Sequence, residues 1–271
     1  MQSSEDLGPV VEVETTRYSS AGAASEASNI PTEVPLTIVA NGVEIATLLC
    51  TPTDLEFMTL GFLYSAGVVH SAEEMRDCRV DPVRWVATCD LARTPDLELL
   101  GKRVYTSGCG KGVMYANVFE LSARRPLEDD VRVTPGQIRE LGTALQGASN
   151  LYRRTRGVHT AALSVAGAMP ERWFDDVGRH NAVDKAIAEG LTRGADLGKC
   201  VLISSGRTSS EILQKARRAG IPIVVARGVP THQSVLRALD MGVTLIGQAR
   251  GSGFVVYSHG GRVGPLEAAS D

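Results

Sequence analysis

The second half of the chain alternates short apolar runs with segments that carry apolar residues at helical spacing, and this rhythm restricts the fold more than any other feature. Val158 to Val165, Val201-Leu202-Ile203, Ile221 to Ala226 and Val243 to Ile246 read as strands, and Phe254 to Tyr257 as a closing edge strand. Asn181 to Leu191, Ser209 to Ala219 and Ser234 to Met241 read as the intervening helices, the first two followed by Gly194 and Gly220. Thr134-Pro135 opens a further helix through Ile138, Leu141 and Leu145, with proline in the first turn, where its missing N–H costs nothing. Such a succession predicts an α/β layer sandwich on a mostly parallel sheet.

The first half has another pattern. Residues 1–28 are rich in Ser, Ala and Glu, and Ser19 to Ser25 has nothing to bury, so a disordered tail is expected there. Pro35 to Ala40 and Val43 to Cys50 flank Asn41-Gly42, a strong two-residue hairpin turn. Thr53 and Glu56 have the spacing of a capping box ahead of Phe57, Leu60 and Leu63, in a helix of about 12 residues closed by Gly67. The division falls near residue 115, giving an N-terminal subdomain over 29–115 and a second domain over 116–265.

Composition excludes several classes of function. A formal net charge of -3 and a pI near 6.0 give no general excess of cations for nucleic acid or an anionic bilayer. The longest apolar runs fall far short of the ~20 residues that span a membrane. The acidic start Met1 to Asp6 has no apolar h-region, so export is not expected and a cytoplasmic location is. Five scattered cysteines, an odd number, point to a reducing compartment with free thiols. No C-x-x-C pair exists and the histidines lack ligand spacing, so no metal site is expected.

Four segments could carry chemistry. Cys109 lies between Gly108 and Gly110 with Lys111 beside it; glycines can leave a thiol exposed, and an ammonium favours the nucleophilic thiolate, although a compact buried thiol in a turn has the same sequence. Ser204 to Glu211 follows a strand and opens a helix. Its Thr208 and Glu211 have capping-box spacing, and with Arg207 and Ser209 the loop suits an anion or is simply a well-capped βα loop. Gln248-Ala249-Arg250-Gly251-Ser252-Gly253 could cradle a diphosphate or form a glycine hairpin with a solvated arginine. Asp175 to Lys185, the densest polar cluster, places Arg179, His180 and Asn181 either toward a ligand or at a helix start capped by Asn181 or Asp176.

Taken together, several stretches resemble one family. These are Glu33-Val34-Pro35-Leu36 with Asn41-Gly42, Thr51 to Glu56, Gly61 to Gly67, Ser107-Gly108-Cys109-Gly110, Gly157 to Ala162, Asp176 to Lys185 and Ser204 to Glu211. From about residue 30 to residue 260 the chain is similar to the FdhD proteins, accessory sulfurtransferases of formate dehydrogenase maturation. The resemblance implies a cytidine deaminase-like three-layer core preceded by a smaller N-terminal α+β subdomain, and a homodimer. It implies that a cysteine desulfurase hands sulfane sulfur to Cys109 as a persulfide. The sulfur then passes to a molybdenum or tungsten cofactor carrying two guanine dinucleotides, before that cofactor enters formate dehydrogenase. It assigns Gln248 to Gly253 to the guanine dinucleotide, to which the chemistry of Arg179, His180, Asn181, Arg207 and Ser209 adds further candidates. Family members commonly carry a C-x-x-C pair, and here Gly112 stands at its second position. A single-cysteine carrier is therefore expected, since one nucleophilic sulfur is enough for a persulfide; the alternative is a binding module that holds the cofactor without sulfur chemistry. The zinc-deaminase signature fails, because His159-Thr160-Ala161 lacks the glutamate and no P-C-x-x-C follows.

Overall fold

The computed structural model describes residues 7–95, 103–105, 113–115, 126–127 and 131–264. Strands β1 (Val10–Ser19) and β2 (Gly22–Pro31) form an antiparallel ribbon in which Val10 faces Pro31 and Ser19 faces Gly22. Over residues 10–28 this ribbon stands where a tail is expected over 1–28, and residues 1–6 lie outside the described residues. Val11, Val13 and Thr15 alternate with Glu12 and Glu14 in period two, and backbone pairing orders even Ser19 to Ser25, whose side chains stay exposed. The ribbon rests on the body where Pro31 meets Gly157, a position at which a Cβ would come within 2.7 Å of the proline ring.

The next sheet begins with β3 (Val34–Ala40) and β4 (Val43–Cys50). Asn41 and Gly42 have φ of 49° and 80°, as the tight hairpin turn requires at both central positions. With β5 (Met75–Asp81) and β6 (Val86–Leu91) the strand order is β4-β3-β6-β5, and only β3 and β6 run parallel. Val34, Leu36, Ile38 and Ala40 point into the core, beneath helix α1 (Leu55–Ala66). The helix ends at Gly67, left-handed at φ 84°, as its sequence predicts, but the Thr53–Glu56 box does not form. Asp54 is the N-cap, at φ 51° and without a side-chain cap bond; its carboxylate instead accepts from Arg172 at 2.9 Å. Two short strands, β7 (Arg103–Tyr105) and β8 (Val113–Tyr115), pair antiparallel with Tyr105 opposite Val113.

The larger sheet has the order β10-β9-β11-β12-β13-β14, from β9 (His159–Val165), β10 (Phe174–Asp176), β11 (Cys200–Ser204), β12 (Ile223–Ala226), β13 (Thr244–Arg250) and β14 (Gly253–Ser258). Only β11-β12 and β12-β13 are parallel, which corrects the expectation of a mostly parallel sheet. The β9–β10 and β13–β14 connections contain no crossover helix, so those strands must return antiparallel. Helices α2 (Pro135–Ala148), α3 (Asn150–Thr155), α4 (Arg179–Thr192), α5 (Ser210–Arg218) and α6 (His232–Met241) complete the α-helices among the described residues.

Alternation along the central strands divides the core. Leu202, Val224 and Leu245 pack with residues of α1, α4, α5 and α6, whereas Val201, Ile203, Ile223, Val225 and Ile246 pack against Ile138, Leu141 and Leu145 of α2. The result is three layers, helices on both faces of a mixed sheet, joined to the smaller sheet by α1 against α4. That joint is close: a Cβ at Gly61 would lie 2.1 Å from the Asp184 carbonyl oxygen. Thr134 caps α2 with Gln137 in a reciprocal capping box, and Pro135 holds the first turn. Among the described residues no helix is long and apolar enough to cross a membrane.

Candidate active site

Two glycine-bearing loops, Gly206 after β11 and Gly228 after β12, meet beside Gly247 of β13. A Cβ at Gly228 would sit 2.9 Å from the Gly206 carbonyl oxygen, and one at Gly247 would sit 3.0 Å from that of Gly228. Only glycine lets these backbones approach so closely. The Gln248 N–H donates to the Gly228 carbonyl at 3.1 Å, with Gln248 itself in the left-handed region at φ 55°. The first turn of α4 closes the other side, since a Cβ at Gly206 would lie 3.0 Å from Arg179 Cβ. The crevice beyond the carboxyl ends of parallel strands is where open α/β sheets bind ligands.

The turn that carries Arg179 is fixed by a buried carboxylate. Asp176 Oδ2 accepts from Lys185 Nζ at 2.8 Å, both side chains fully buried, and from the Thr51 N–H at 3.1 Å. Its Oδ1 accepts from the Gly178 N–H at 2.8 Å and from Asn181 Nδ2 at 2.9 Å. Lys185 also donates to the Asp175 carbonyl at 3.0 Å, while Asn181 reaches the Leu49 carbonyl at 2.8 Å. This network ties the end of β4 to β10 and to α4. A second pair, Lys215 with Asp184, lies beneath it, and Ser65 of α1 donates to the same carboxylate.

Arg179 and Arg207 bring positive charge to the crevice, and its imidazoles do not add to it. His180 is pushed down to about 2, first by burial and then by Lys215, Arg179 and His159. His159 is also held below its ordinary value, by burial and then by Arg179, with Arg207 acting in the same direction against Asp176. Both rings are therefore neutral at neutral pH, and the 3.3 Å contact of His180 Nε2 with Glu211 is not a charged pair. Ser209 Oγ reaches the same nitrogen at 3.1 Å, so these side chains do not form a Glu-His-Ser relay, which needs both ring nitrogens. Arg179 Nε is shut from solvent and has no hydrogen-bond partner. An unsatisfied buried guanidinium nitrogen beside Arg207 and the start of a 14-residue helix is a setting for an anion. Among the described residues no three His, Cys, Asp or Glu side chains gather as metal ligands do.

Residues 31–264 match the model of the FdhD/NarQ family. The chain belongs to the FdhD/NarQ family. It is 36% identical over 255 residues to the sulfur carrier protein FdhD of Staphylococcus haemolyticus, covering 93% of this chain and 96% of that protein. With the protein of the same name from Staphylococcus aureus strain MRSA252 it shares 35% identity over 249 residues, covering 91% and 94%. A crystal structure from Desulfotalea psychrophila, described as a formate dehydrogenase accessory protein, superposes with a TM-score of 0.77 at 25% identity, over 94% of this chain and 99% of that one.

On this FdhD/NarQ scaffold the sequence-predicted site residues do not all converge. Arg179, His180, Arg207 and Ser209 flank the crevice together with Gln248. Asn181 is committed to Asp176 and Leu49, so neither it nor Asp176 is the helix cap; Gly178 is. Ser209, and not Thr208, stands at the N-cap of α5 without a side-chain cap bond, its hydroxyl being engaged by His180. Gln248, Ala249 and Arg250 belong to β13, Gly253 opens β14, and Gly251-Ser252 is the turn between them. Ala249 is fully buried against α2, and a Cβ at Gly251 would press on Thr143 Oγ1 at 2.7 Å. Gly251 also borders an open groove of about 510 Å³ with Arg139, Glu140, Thr143 and Met169. Cys109 lies outside the described residues. The Asp176–Lys185 bond and the Gly228 loop went unread in the sequence, although Arg227-Gly228 directly after a buried strand repeats the sign that marked Gly206-Arg207.

Two expectations follow. Lys185→Met leaves a buried carboxylate without its cation and should cost about 3–5 kcal/mol in urea unfolding; a cost below about 1 kcal/mol would contradict the network. As pH falls below about 6.5 the unfolded chain protonates its histidines while folded His180 stays neutral, so stability falls on acidification by roughly 1 kcal/mol per pH unit for this group. His180→Gln should flatten the stability profile between about pH 6 and pH 4, and equal slopes would refute the assignment.

Proposed function

We propose that this chain is a sulfur carrier and sulfurtransferase in formate dehydrogenase maturation, with Cys109 as the sulfur-bearing residue. The thiolate of Cys109 attacks the outer sulfur of a cysteine desulfurase persulfide; a new S–S bond forms on Cys109, the donor's S–S bond breaks, and the donor leaves as a thiolate. The bound sulfur then passes to a molybdenum or tungsten cofactor bearing two guanine dinucleotides, which is cargo and not a resident group. The family, the names of its relatives and the Gly108-Cys109-Gly110-Lys111 sequence support this reading.

The observation that carries the cofactor half is the unpartnered Arg179 Nε at the mouth of the glycine loops. A diphosphate there would meet Arg179, Arg207 and the N–H groups opening α4, while neutral His159 and His180 offer hydrogen bonds without adding repulsion among the cations. Of Gln248 to Gly253, Gln248 borders the crevice through its bond to Gly228, whereas Ala249 and Gly251 pack on α2.

In a host lacking its own carrier, Cys109→Ala should abolish formate dehydrogenase activity and remove the sulfur adduct that mass spectrometry finds after incubation with desulfurase and cysteine. Arg179→Ala should keep the adduct and weaken guanosine diphosphate binding by roughly 10- to 100-fold, as loss of a charge-assisted contact does. Retained activity in Cys109→Ala would overturn the carrier and leave a cofactor-binding module; unchanged nucleotide affinity in Arg179→Ala would remove the crevice from the site.

A further inference from the structure

Two cysteines outside the crevice are in contact. Cys78 on β5 and Cys89 on β6 stand directly opposite each other in the antiparallel ladder, with Cys89 Sγ donating to Cys78 Sγ at 3.6 Å. They differ in access: Cys89 is 2% exposed, whereas Cys78 is half-buried. β6 is an interior strand of its sheet and β5 is the edge. The partner nearer solvent is thus on the strand that can shift, and closing the sulfurs to the ~2.05 Å of a disulfide needs only a local approach of paired residues. We propose that Cys78 and Cys89 form a dithiol site that small-molecule disulfides oxidise reversibly, with Cys78 as the nucleophile and Cys89 as the resolving thiol.

The electrostatics agree with this division of roles. The thiol of Cys78 is held below its ordinary value, chiefly by the hydrogen bond from Cys89, with Thr59 of α1 helping; burial and the carboxylates of Glu56 and Asp77 oppose it. Cys89, the donor in that bond and the more buried of the two, is held up. The other described thiols lack these features. Cys50 and Cys200 are fully buried and pushed up to about 12 and about 11, mainly by burial.

In the first step the Cys78 thiolate attacks one sulfur of R–S–S–R, forming Cys78–S–S–R and releasing R–S⁻. Cys89 then loses its proton and attacks the Cys78 sulfur, forming the protein disulfide and releasing the second R–S⁻. Two protein thiols are oxidised and one small disulfide is reduced to two thiols. An accessible thiolate beside a resolving cysteine is the arrangement of thiol-based redox sites. The site does not depend on the sulfur-carrier reading.

The test is incubation of the full-length chain with oxidised glutathione, alkylation of the remaining thiols and peptide mapping by mass spectrometry. The wild type should yield a Cys78–Cys89 disulfide that dithiothreitol reverses, Cys89→Ala should retain glutathione on Cys78, and Cys78→Ser should leave Cys89 unmodified. A stable glutathione adduct on Cys78 in the wild type, or reaction at Cys50 or Cys200 ahead of Cys78, would overturn the proposal; the wild-type arm decides even if a variant fails to fold.

Discussion

The carboxylate of Asp176 holds the crevice in place. It accepts from Lys185, Thr51, Gly178 and Asn181, which belong to the two sheet-bearing parts of the chain and to the helix between them. A buried ion pair of this kind is not in itself a large source of stability, because desolvating two charges can cancel their attraction. Its importance lies in direction. With all four donors satisfied, the first turn of α4 has one orientation relative to β4 and β10, and that orientation sets Arg179 beside Gly206 and His180 beside Ser209.

The charge pattern follows from the same packing. The lysines of α4 and α5 are matched below the surface by Asp176 and Asp184, so the cations free to act on a ligand are arginines at the loop ends. Burial and those cations keep His159 and His180 neutral. The crevice thereby presents fixed guanidinium charge, glycine backbone and uncharged imidazole to one volume, a combination suited to a phosphate-bearing molecule and poorly suited to a metal.

Much of this was legible in the sequence where structure is local. The Asn41-Gly42 turn, the Pro135 helix start and the glycine after α1 obey rules that operate within a few residues, and they stand where the residues place them. The capping boxes at Thr53 and Thr208 did not form. Lys185 lies 3.5 Å from the Thr53 hydroxyl and His180 engages Ser209, partners more than 28 positions away that no local pattern can weigh. A tail over residues 1–28 does not hold for residues 10–28, where side chains have little to bury but the backbone forms a ladder. The glycine run Gln248 to Gly253 was recognised, yet not its division between a crevice edge and a turn packed on α2, because the strand register decides which residue faces which side. Register likewise places Cys78 opposite Cys89, and single-strand patterns do not contain it.

The most direct test of the account is a crystal structure of the full chain with guanosine diphosphate. The arrangement of charge and glycine predicts the diphosphate within hydrogen-bonding distance of Arg179 and Arg207, at the mouth formed by Gly206, Gly228 and Gly247. A nucleotide seated instead in the open groove between α2 and the β13–β14 turn, with both arginines unengaged, would contradict it.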